Sequence, residues 1–387
     1  MSSHKEVWLI SAPGDPRPEE TYRKVVTAFQ RTNICETSRF NIPTELKVGT
    51  LDTLVELSDE LAKQDSYMEG VVRKLASVSL DVLEARPEEA AEYLKVKNMP
   101  VERYCKEFRW DAAKYPLKNN LKEITERISK EVGKIDTELK TKHGLHNSIK
   151  ASLQTMERKQ TGSLLTRFLG DIVKKDDFIL GSDYLTTVCV VVPKSSFSEW
   201  HRNYETMVEE KVVPRSSKLT FEDNEFGLFT VSLFKTVLDE FKYRCREKKF
   251  IVRDFVYDEK ELQANKKERA KLVQDKQNHH KTFIPWLRVQ FGECFAGWLH
   301  IKTLRVFVES VLRFGLPVNF ASIVIEPQPK SNKKVKDVLF SLFSHLDSRA
   351  SSDDSGANEM PQLGFVNQEY YPYVFYSLKL DFLHLMK

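Results

Sequence analysis

The sequence lacks the signatures of most nucleotide-binding, hydrolytic and metal-dependent enzymes. It has only 14 glycines in 387 residues, and neither GxxxxGK[ST] nor GxGxxG occurs, which excludes the two common glycine-rich phosphate loops. GxSxG and HExxH are also absent. His143 and His146, the adjacent His279 and His280, and the pair Asp176-Asp177 have no further ligand or partner at a useful spacing. We therefore predict no catalytic residue, no cofactor and no metal ion.

Cysteine and long apolar runs are also scarce. The longest apolar stretch, around Val188–Val192, is far shorter than the roughly 20 residues that span a bilayer. The opening MSSHKEVWLISAPG contains no long apolar segment, so we expect no secretory signal and no direct membrane insertion. The cysteines are odd in number and no two have zinc or redox spacing, which predicts reduced, buried thiols in a cytosolic protein. They are Cys35, Cys105, Cys189, Cys245 and Cys294.

No charge of one sign dominates the chain. Lys and Arg number 60 against 56 Asp and Glu, for a net charge of +4. Basic clusters at 244–249, 266–271 and 330–336 are not interleaved with aromatic residues, and no RNA-binding or zinc-finger pattern accompanies them. They are typical of solvated helix faces. We predict no nucleic-acid partner.

What the chain does have is a long charged helical pattern over Leu117–Met156. Apolar residues recur there at steps of three and four, with Lys142 and His146 filling the two gaps, which predicts a helix roughly 60 Å long. Thr161-Gly162-Ser163 then predicts a break, with Ser163 capping a new helix from Leu164. A second, weaker run over Leu262–Phe283 has the same spacing of three and four residues, but basic residues occupy the positions between its apolar residues. Pro285 predicts its end at the preceding residue.

In the roughly one hundred residues between the two runs, the spacing of apolar residues changes from the helical pattern to one typical of strands. Tyr184–Val192, Gly227–Phe234 and Phe250–Tyr257 are predicted strands, separated by predicted helices at Trp200–Val208 and Val237–Cys245. They predict a small α/β domain, with parallel crossovers or a mixed sheet left open. The runs could then be two helices leading to and from this domain, or two ordinary amphipathic helices of a globular α-protein. We favour the first, an elongated dumbbell.

The two ends of the chain are expected to build one further domain. Val7–Ile10, Phe320–Ile325 and Tyr373–Leu380 are strand-like, and we predict that they share one sheet. Trp286–Phe314 is apolar on most faces and predicts a buried helix. The predicted class is therefore α+β, predominantly helical, with a large domain from both ends and a small one between.

Aromatic residues crowd two strand ends and are the only candidate contact residues. Phe255 and Tyr257 close the last central strand, and Tyr370, Tyr371 and Phe375 lie on the C-terminal strand. Core packing accounts for about half of such a set, whereas aromatics on a solvent face are candidate anchors for a partner. We predict a partner-binding role for all five.

Nine runs of the sequence form, in their order along the chain, a recognisable pattern: VWLISAPG, SRFNIPTELKVGTLDTLVELSDELAK, RWDAAKYPL, GSLLTRFLGDIVKKDDFI, VVVPK, VVPRSS, KFIVRDFVYDE, LRVFVESVLRFGLPVNF and QEYYPYVFYSLKL. Together they resemble the C subunit of the eukaryotic vacuolar-type proton-translocating ATPase (V-ATPase), and the resemblance covers essentially the whole chain. The segments 86–100 and 350–363 depart most from it.

The resemblance implies a foot, a neck and a head. The foot would comprise residues 1–150 and 286–387, the two-helix neck 151–165 and 260–285, and the head 166–259. It implies a non-catalytic stator component that links peripheral stalks, made of the E and G subunits, to the cytoplasmic domain of the membrane-sector a subunit. It also implies reversible assembly, and a cytosolic location on acidic organelles or the plasma membrane.

Two other functions stay open at this point. A cytoskeletal or scaffold protein would suit a charged rod between two domains, and the family resemblance implies actin as a possible further partner. A nucleotide-dependent enzyme would need a site that no motif reveals.

Overall fold

The computed structural model describes residues 5–30, 32–84, 89, 92–209, 211–346 and 371–382. Helices and short strands alternate over these ranges. In chain order they are β1 (Glu6–Pro13), α1 (Pro18–Gln30), β2 (Cys35–Arg39), α2 (Leu51–Leu83), β3 (Lys95–Val96), β4 (Met99–Pro100), α3 (Val101–Lys106), α4 (Leu121–Thr161), β5 (Leu185–Pro193), α5 (Phe197–Asn203), β6 (Lys218–Glu222), β7 (Phe226–Phe234), α6 (Leu238–Glu247), β8 (Ile251–Arg253), α7 (Glu259–Phe314), β9 (Phe320–Pro327), α8 (Asn332–Phe343) and β10 (Val374–Lys379).

The chain divides into two compact units. Unit 1 comprises Met1–His143 and His280–Lys387, and unit 2 comprises Gly144–His279. Helices α4 and α7 each contribute residues to both units. The protein is thus a mixed helical and sheet structure in which helix prevails. The finer division into foot, neck and head stays a prediction.

Unit 1 is organised around an antiparallel sheet in the order β10–β1–β9–β2. Strand β1 pairs with β10 from Glu6↔Lys379 to Ser11↔Val374 and with β9 on its other side. The prediction that the two chain ends share one sheet is therefore confirmed. Strand β2 was not predicted, because only its first residue is buried and its sequence CETSR has no apolar alternation.

Both faces of this sheet are buried, since successive side chains of a strand point to opposite faces. Val7 and Leu9 of β1 belong to a core with residues of α2, α4 and α7. Trp8 and Ile10 belong to a second core with residues of α1 and α8. The sheet therefore forms the middle layer of unit 1, and only its edges remain for further pairing.

Helix α7 corrects the prediction at Pro285. It continues through this proline to Phe314 as one helix of 56 residues. Phe283 and Leu287 are buried on either side of Pro285, and Phe291 continues the same stripe in the unit 1 core. Packing of this stripe outweighs the lost backbone hydrogen bond and the clash that favour a break at proline.

Helix α4 confirms the long helix, with its bounds moved to Leu121–Thr161. His146 fills one predicted gap as a buried residue, and the Lys142 ammonium lies 5.5 Å from the centre of the Trp286 ring. The break after Thr161 is confirmed. The helix predicted from Leu164 is wrong, because only a turn forms there, in which the Thr166 and Arg167 amides both donate to the Ser163 carbonyl.

Unit 2 contains a sheet in the order β6–β7–β5–β8, with every neighbouring pair antiparallel. Neither the parallel nor the mixed option of the prediction is found. One face packs on Trp200 of α5 and Phe241 of α6. The other packs on Leu164 and Leu169, which precede the sheet in the chain. Strand β6 was missed, and β8 ends at Arg253 rather than at Tyr257.

All five cysteines are free and buried, which confirms the predicted buried thiols. In the described ranges, no helix combines the length and the apolar character that crossing a bilayer requires. Those same ranges contain no group of three or more His, Cys, Asp or Glu side chains arranged to hold a metal ion.

Candidate functional site

The two aromatic residues predicted as anchors in unit 2 lie in the connection between β8 and α7. Phe255 and Tyr257 are half-buried and pack against the second core of the unit. The Phe178 ring centre lies 5.7 Å from that of Phe255 and 5.6 Å from that of Tyr257. These side chains therefore help to hold the 164–178 segment in place. The alternation expected of a strand does not apply, because β8 has already ended.

In addition to Val256, which is 84% exposed between Phe255 and Tyr257, unit 2 exposes a group of large apolar side chains at one end of its sheet. Tyr184 is 76% exposed, Leu180 48% and Phe234 41%. Leu185, which begins β5, pairs with Phe234 at the end of β7, and the Lys235 amide donates to the Tyr184 carbonyl at 2.8 Å. We name Leu180, Tyr184 and Phe234 the end patch.

A tight turn holds the end patch. Gly181 has φ +72°, a conformation that glycine adopts without strain. The Ser182 hydroxyl then accepts hydrogen bonds from the amides of Tyr184, at 3.3 Å, and Leu185, at 3.1 Å. This surface was not predicted from the sequence. The sequence signal for it is one large apolar residue on each side of Gly181-Ser182-Asp183, namely Leu180 and Tyr184, whereas such a run is otherwise typical of a polar turn.

In unit 1, Phe375 lies on the edge strand β10 and Tyr371 lies shortly before it. Tyr370 lies outside the described residues. Tyr371 and Phe375 are half-buried, with ring centres 4.8 Å apart. The Lys336 ammonium lies 5.3 Å from the first ring centre and 5.7 Å from the second, and Trp8 packs edge-on against Phe375 at 5.3 Å. The structure thus brings Tyr371 and Phe375 together under one cation.

A cleft of about 920 Å³ opens at this place. Residues 373–377 line it, together with residues of α2, α7 and α8. On the α7 side, the Arg305 guanidinium lies 4.5 Å from the centre of the Tyr376 ring. Burial raises the pKa of the Tyr376 hydroxyl. Each aromatic side chain of β10 that faces the cleft is therefore covered by a basic side chain.

A buried ion cluster supports the floor of the cleft on the α7 side. Asp65 accepts hydrogen bonds from Trp298 Nε1 at 2.7 Å and from Arg305, and lies 2.9 Å from Lys302 Nζ. Asp65 and Lys302 are 3% and 4% exposed. One carboxylate thus holds two cations, which leaves a positive charge beside Tyr376.

Comparison with known proteins shows which family the whole chain resembles. A family model described as the C subunit of V-ATPase matches residues 7–374. The V-type proton ATPase C 1-A subunit of Danio rerio is 51% identical over 380 residues, which cover 98% of this chain and 99% of the relative. The C subunit of Manduca sexta is 48% identical over 381 residues, 98% of each chain. The C 1 subunit of Rattus norvegicus is 49% identical over 379 residues, 98% of this chain and 99% of the relative.

One solved structure aligns weakly. It is the cytoplasmic N-terminal domain of the I subunit, a homologue of the a subunit, of V-ATPase, with 14% identity over 87% of this chain and 98% of that chain. Its TM-score of 0.35 is too low to establish a shared fold.

Proposed function

The chain belongs to the C-subunit family of the V-ATPase, and on that premise we propose that it is a stator component of the V-type proton ATPase. Members of this family are non-catalytic, so the prediction that the chain is not an enzyme is confirmed with the family. The proposed partners are the peripheral stalks made of the E and G subunits and the cytoplasmic domain of the membrane-sector a subunit.

The observation that carries this proposal is the family match along the chain together with its two separately packed units. A rotary ATPase exerts torque on its stator, so the ATP-hydrolysing sector must be tied to the membrane sector. Two compact units joined by α4 and α7 provide two binding surfaces in one polypeptide. The elongated dumbbell, with a foot, a two-helix neck and a head, belongs to this proposal.

We assign the head to one stalk of E and G subunits, and the foot to a second stalk and to the a subunit. In the head, the proposed contact residues are Phe255 and Tyr257, joined now by the exposed Tyr184 of the end patch. In the foot, they are Tyr371 and Phe375. Tyr370, the remaining predicted contact residue, lies outside the described residues.

The proposed contacts also suit reversible assembly. The end patch is small, and the unit 1 cleft mixes aromatic and charged side chains, as in interfaces that form and dissociate. We propose that the chain leaves the complex when its two sectors separate. Its place in the complex would be the cytosolic face of acidic organelles such as the vacuole, lysosome or endosome, or of the plasma membrane.

The decisive experiment is calorimetric titration of the full chain with a purified heterodimer of the E and G subunits. We expect one-to-one binding that Tyr184→Ser weakens at least about tenfold, since exposed aromatic anchors carry much of an interface's affinity. Tyr243→Ser is the matched control, because Tyr243 is 61% exposed on α6 of the same unit but lies outside the end patch. Its affinity should equal that of the unchanged chain.

Other outcomes contradict parts of the proposal. If Tyr184→Ser lowers the affinity for the heterodimer no more than Tyr243→Ser does, the end patch is not part of the contact. A folded chain that binds neither the heterodimer nor the cytoplasmic domain of the a subunit would contradict the stator function. If that chain also sediments with actin filaments, the cytoskeletal alternative replaces it.

A further inference from the structure

The register of the unit 1 sheet determines which backbone groups of β10 face outwards. The Leu380 amide donates to the Lys5 carbonyl at 2.9 Å, and the ladder continues with Glu6 opposite Lys379. Hydrogen-bonded and non-hydrogen-bonded pairs alternate in an antiparallel ladder. Even-numbered residues of β10 therefore bond to β1, whereas the amides and carbonyls of Phe375, Ser377 and Lys379 point away from the sheet.

Arginine side chains cap this outer edge at both ends. Arg313 donates to the carbonyls of Tyr371, at 3.1 Å, and Tyr373, at 3.4 Å. Arg73 donates to the Lys379 carbonyl at 3.4 Å. Among the residues that the structure describes, no donor or acceptor meets the outward amides and carbonyls of Phe375 and Ser377, which lie between the caps. Within the described part of the chain, a stretch of edge strand with unpaired backbone groups therefore lies beside the 920 Å³ cleft.

A buried donor in the same cleft also lacks an acceptor within the described ranges. Trp8 lines the cleft and is 1% exposed, yet its indole Nε1–H makes no hydrogen bond there. Trp8 stands opposite Ser377 in the ladder and shares its face with Phe375, over which Lys336 lies. Glu6, an acid on this face, already accepts from Ser377 Oγ and from Asn332 Nδ2. A carboxylate from outside would provide an acceptor for Trp8 Nε1, and it would suit the positive charge that Asp65, Lys302 and Arg305 leave at the same cleft.

We propose that this cleft binds an extended segment of a partner protein, which adds a strand to the outer edge of β10. The segment would form ladder hydrogen bonds with Phe375 and Ser377 and place an Asp or Glu side chain where it can accept from Trp8 Nε1. An edge strand with unpaired backbone groups is a template for such pairing, and alternate side chains then provide specificity.

The inference rests on the proposed function only in taking the surface around Tyr371 and Phe375 as a contact. It adds the manner of binding and the chemistry of the partner. A helix laid on this surface would leave the outward amides of Phe375 and Ser377 without acceptors, since its own backbone groups are bonded internally.

Residue 377 allows a sharp test. Because the Ser377 amide faces outwards, Ser377→Pro removes a donor from the free edge and leaves the β1 ladder intact, a position where edge strands accept proline. Ser377→Ala is the matched control, since it loses the same hydroxyl bond to Glu6 and keeps the amide. The full chain is used to select binders from a displayed library of random linear peptides about twelve residues long, enough for one strand.

We expect acidic peptides whose affinity Ser377→Pro lowers at least about tenfold while Ser377→Ala changes it less than about threefold. Methylation of alternate backbone amides of the peptide should abolish its binding to the unchanged chain. This measurement does not depend on whether any variant folds. No enrichment of peptides, or equal binding to the two Ser377 variants and to methylated peptides, overturns the proposal. So does concentration-dependent dimerisation that Ser377→Pro prevents, since the occupant would then be a second copy.

The two proposals can fail separately. A chain that binds these peptides but neither the heterodimer of E and G subunits nor the a subunit loses only the stator function. A chain that still binds those proteins but enriches no peptide loses only strand addition.

Discussion

At the residue scale, Asp65 and His300 show what burial does to charge in unit 1. Asp65 shares its carboxylate between Lys302 and Arg305 and accepts from the Trp298 indole. Removing a buried charge is costly when its partners stay behind, because they then lack a counter-ion in a medium that solvates them poorly. The stability of the helical layer beneath β10 should therefore depend on this single carboxylate.

We predict that Asp65→Asn lowers the free energy of unfolding of unit 1 by roughly 3 kcal/mol. The amide oxygen can still accept from Trp298, so the loss reports the charge. Adding Lys302→Met to Asp65→Asn should recover part of it, since only one unpaired cation then remains. Urea denaturation of the single and double variants measures both. Equal stability of Asp65→Asn and the unchanged chain would show that the cluster carries little net energy.

His300 is a buried histidine held neutral by its surroundings. The Asp111 amide donates to Nε2 at 3.1 Å, which leaves the proton on Nδ1, 2.7 Å from the Ala296 carbonyl. The rings of Phe108, Trp110 and Tyr115 lie around it at 4.8–5.0 Å. Burial lowers the pKa of His300 from its ordinary value of 6.5 to about 4.

This shift predicts a loss of stability in acid. The unfolded chain binds more protons than the folded one between pH 6.5 and 4, so the contribution is complete above pH 6.5 and falls as the pH drops towards 4. From about pH 7.5 to 5.5 the loss should be about 1.4 kcal/mol. Urea denaturation of the unchanged chain and of His300→Gln, which cannot titrate, measures it as a difference in pH slope. Identical slopes would contradict the prediction.

At the element scale, the sequence predicted best where a long periodic pattern met a large core. Helix α4 and the shared sheet of β1, β9 and β10 were expected from apolar spacing alone. Strands β2 and β6 were missed because backbone pairing with β9 and β7, rather than apolar alternation, makes them strands. Phe255 was predicted to be a contact residue because the strand was expected to reach it, but β8 ends at Arg253. The end patch was missed because its residues surround a turn, which has no periodic apolar pattern.

Proline 285 shows tertiary packing overriding a local signal. It lies exposed within α7, between the buried Phe283 and Leu287. We predict that Pro285→Ala raises the free energy of unfolding of unit 1 by about 1–3 kcal/mol, since alanine restores the missing amide and removes the ring clash. Val289→Ala, one turn later and 58% exposed, should change it by less than about 0.5 kcal/mol. An unchanged or lower denaturation midpoint for Pro285→Ala would mean that the helix depends on the proline.

At the scale of the whole molecule, the described cores respect the division into two units. The two unit 1 clusters draw no residue from 144–279, and the two unit 2 clusters lie wholly within that range. Each unit therefore has its own apolar interior. In the proposed stator function, such a division would let the contact surface of one unit change without unfolding the other unit.

We accordingly predict two thermal transitions, one for each unit, and a matched pair of substitutions can assign them. Phe295 in unit 1 and Phe241 in unit 2 are both fully buried, so replacing either with alanine should cost about 3–5 kcal/mol. Phe241→Ala should lower only one transition of the full chain in scanning calorimetry, by roughly 10 °C, and Phe295→Ala only the other. If each variant instead shifts a single common transition, the helices that run through both units couple them into one cooperative structure, and a disturbance in one unit would reach the other.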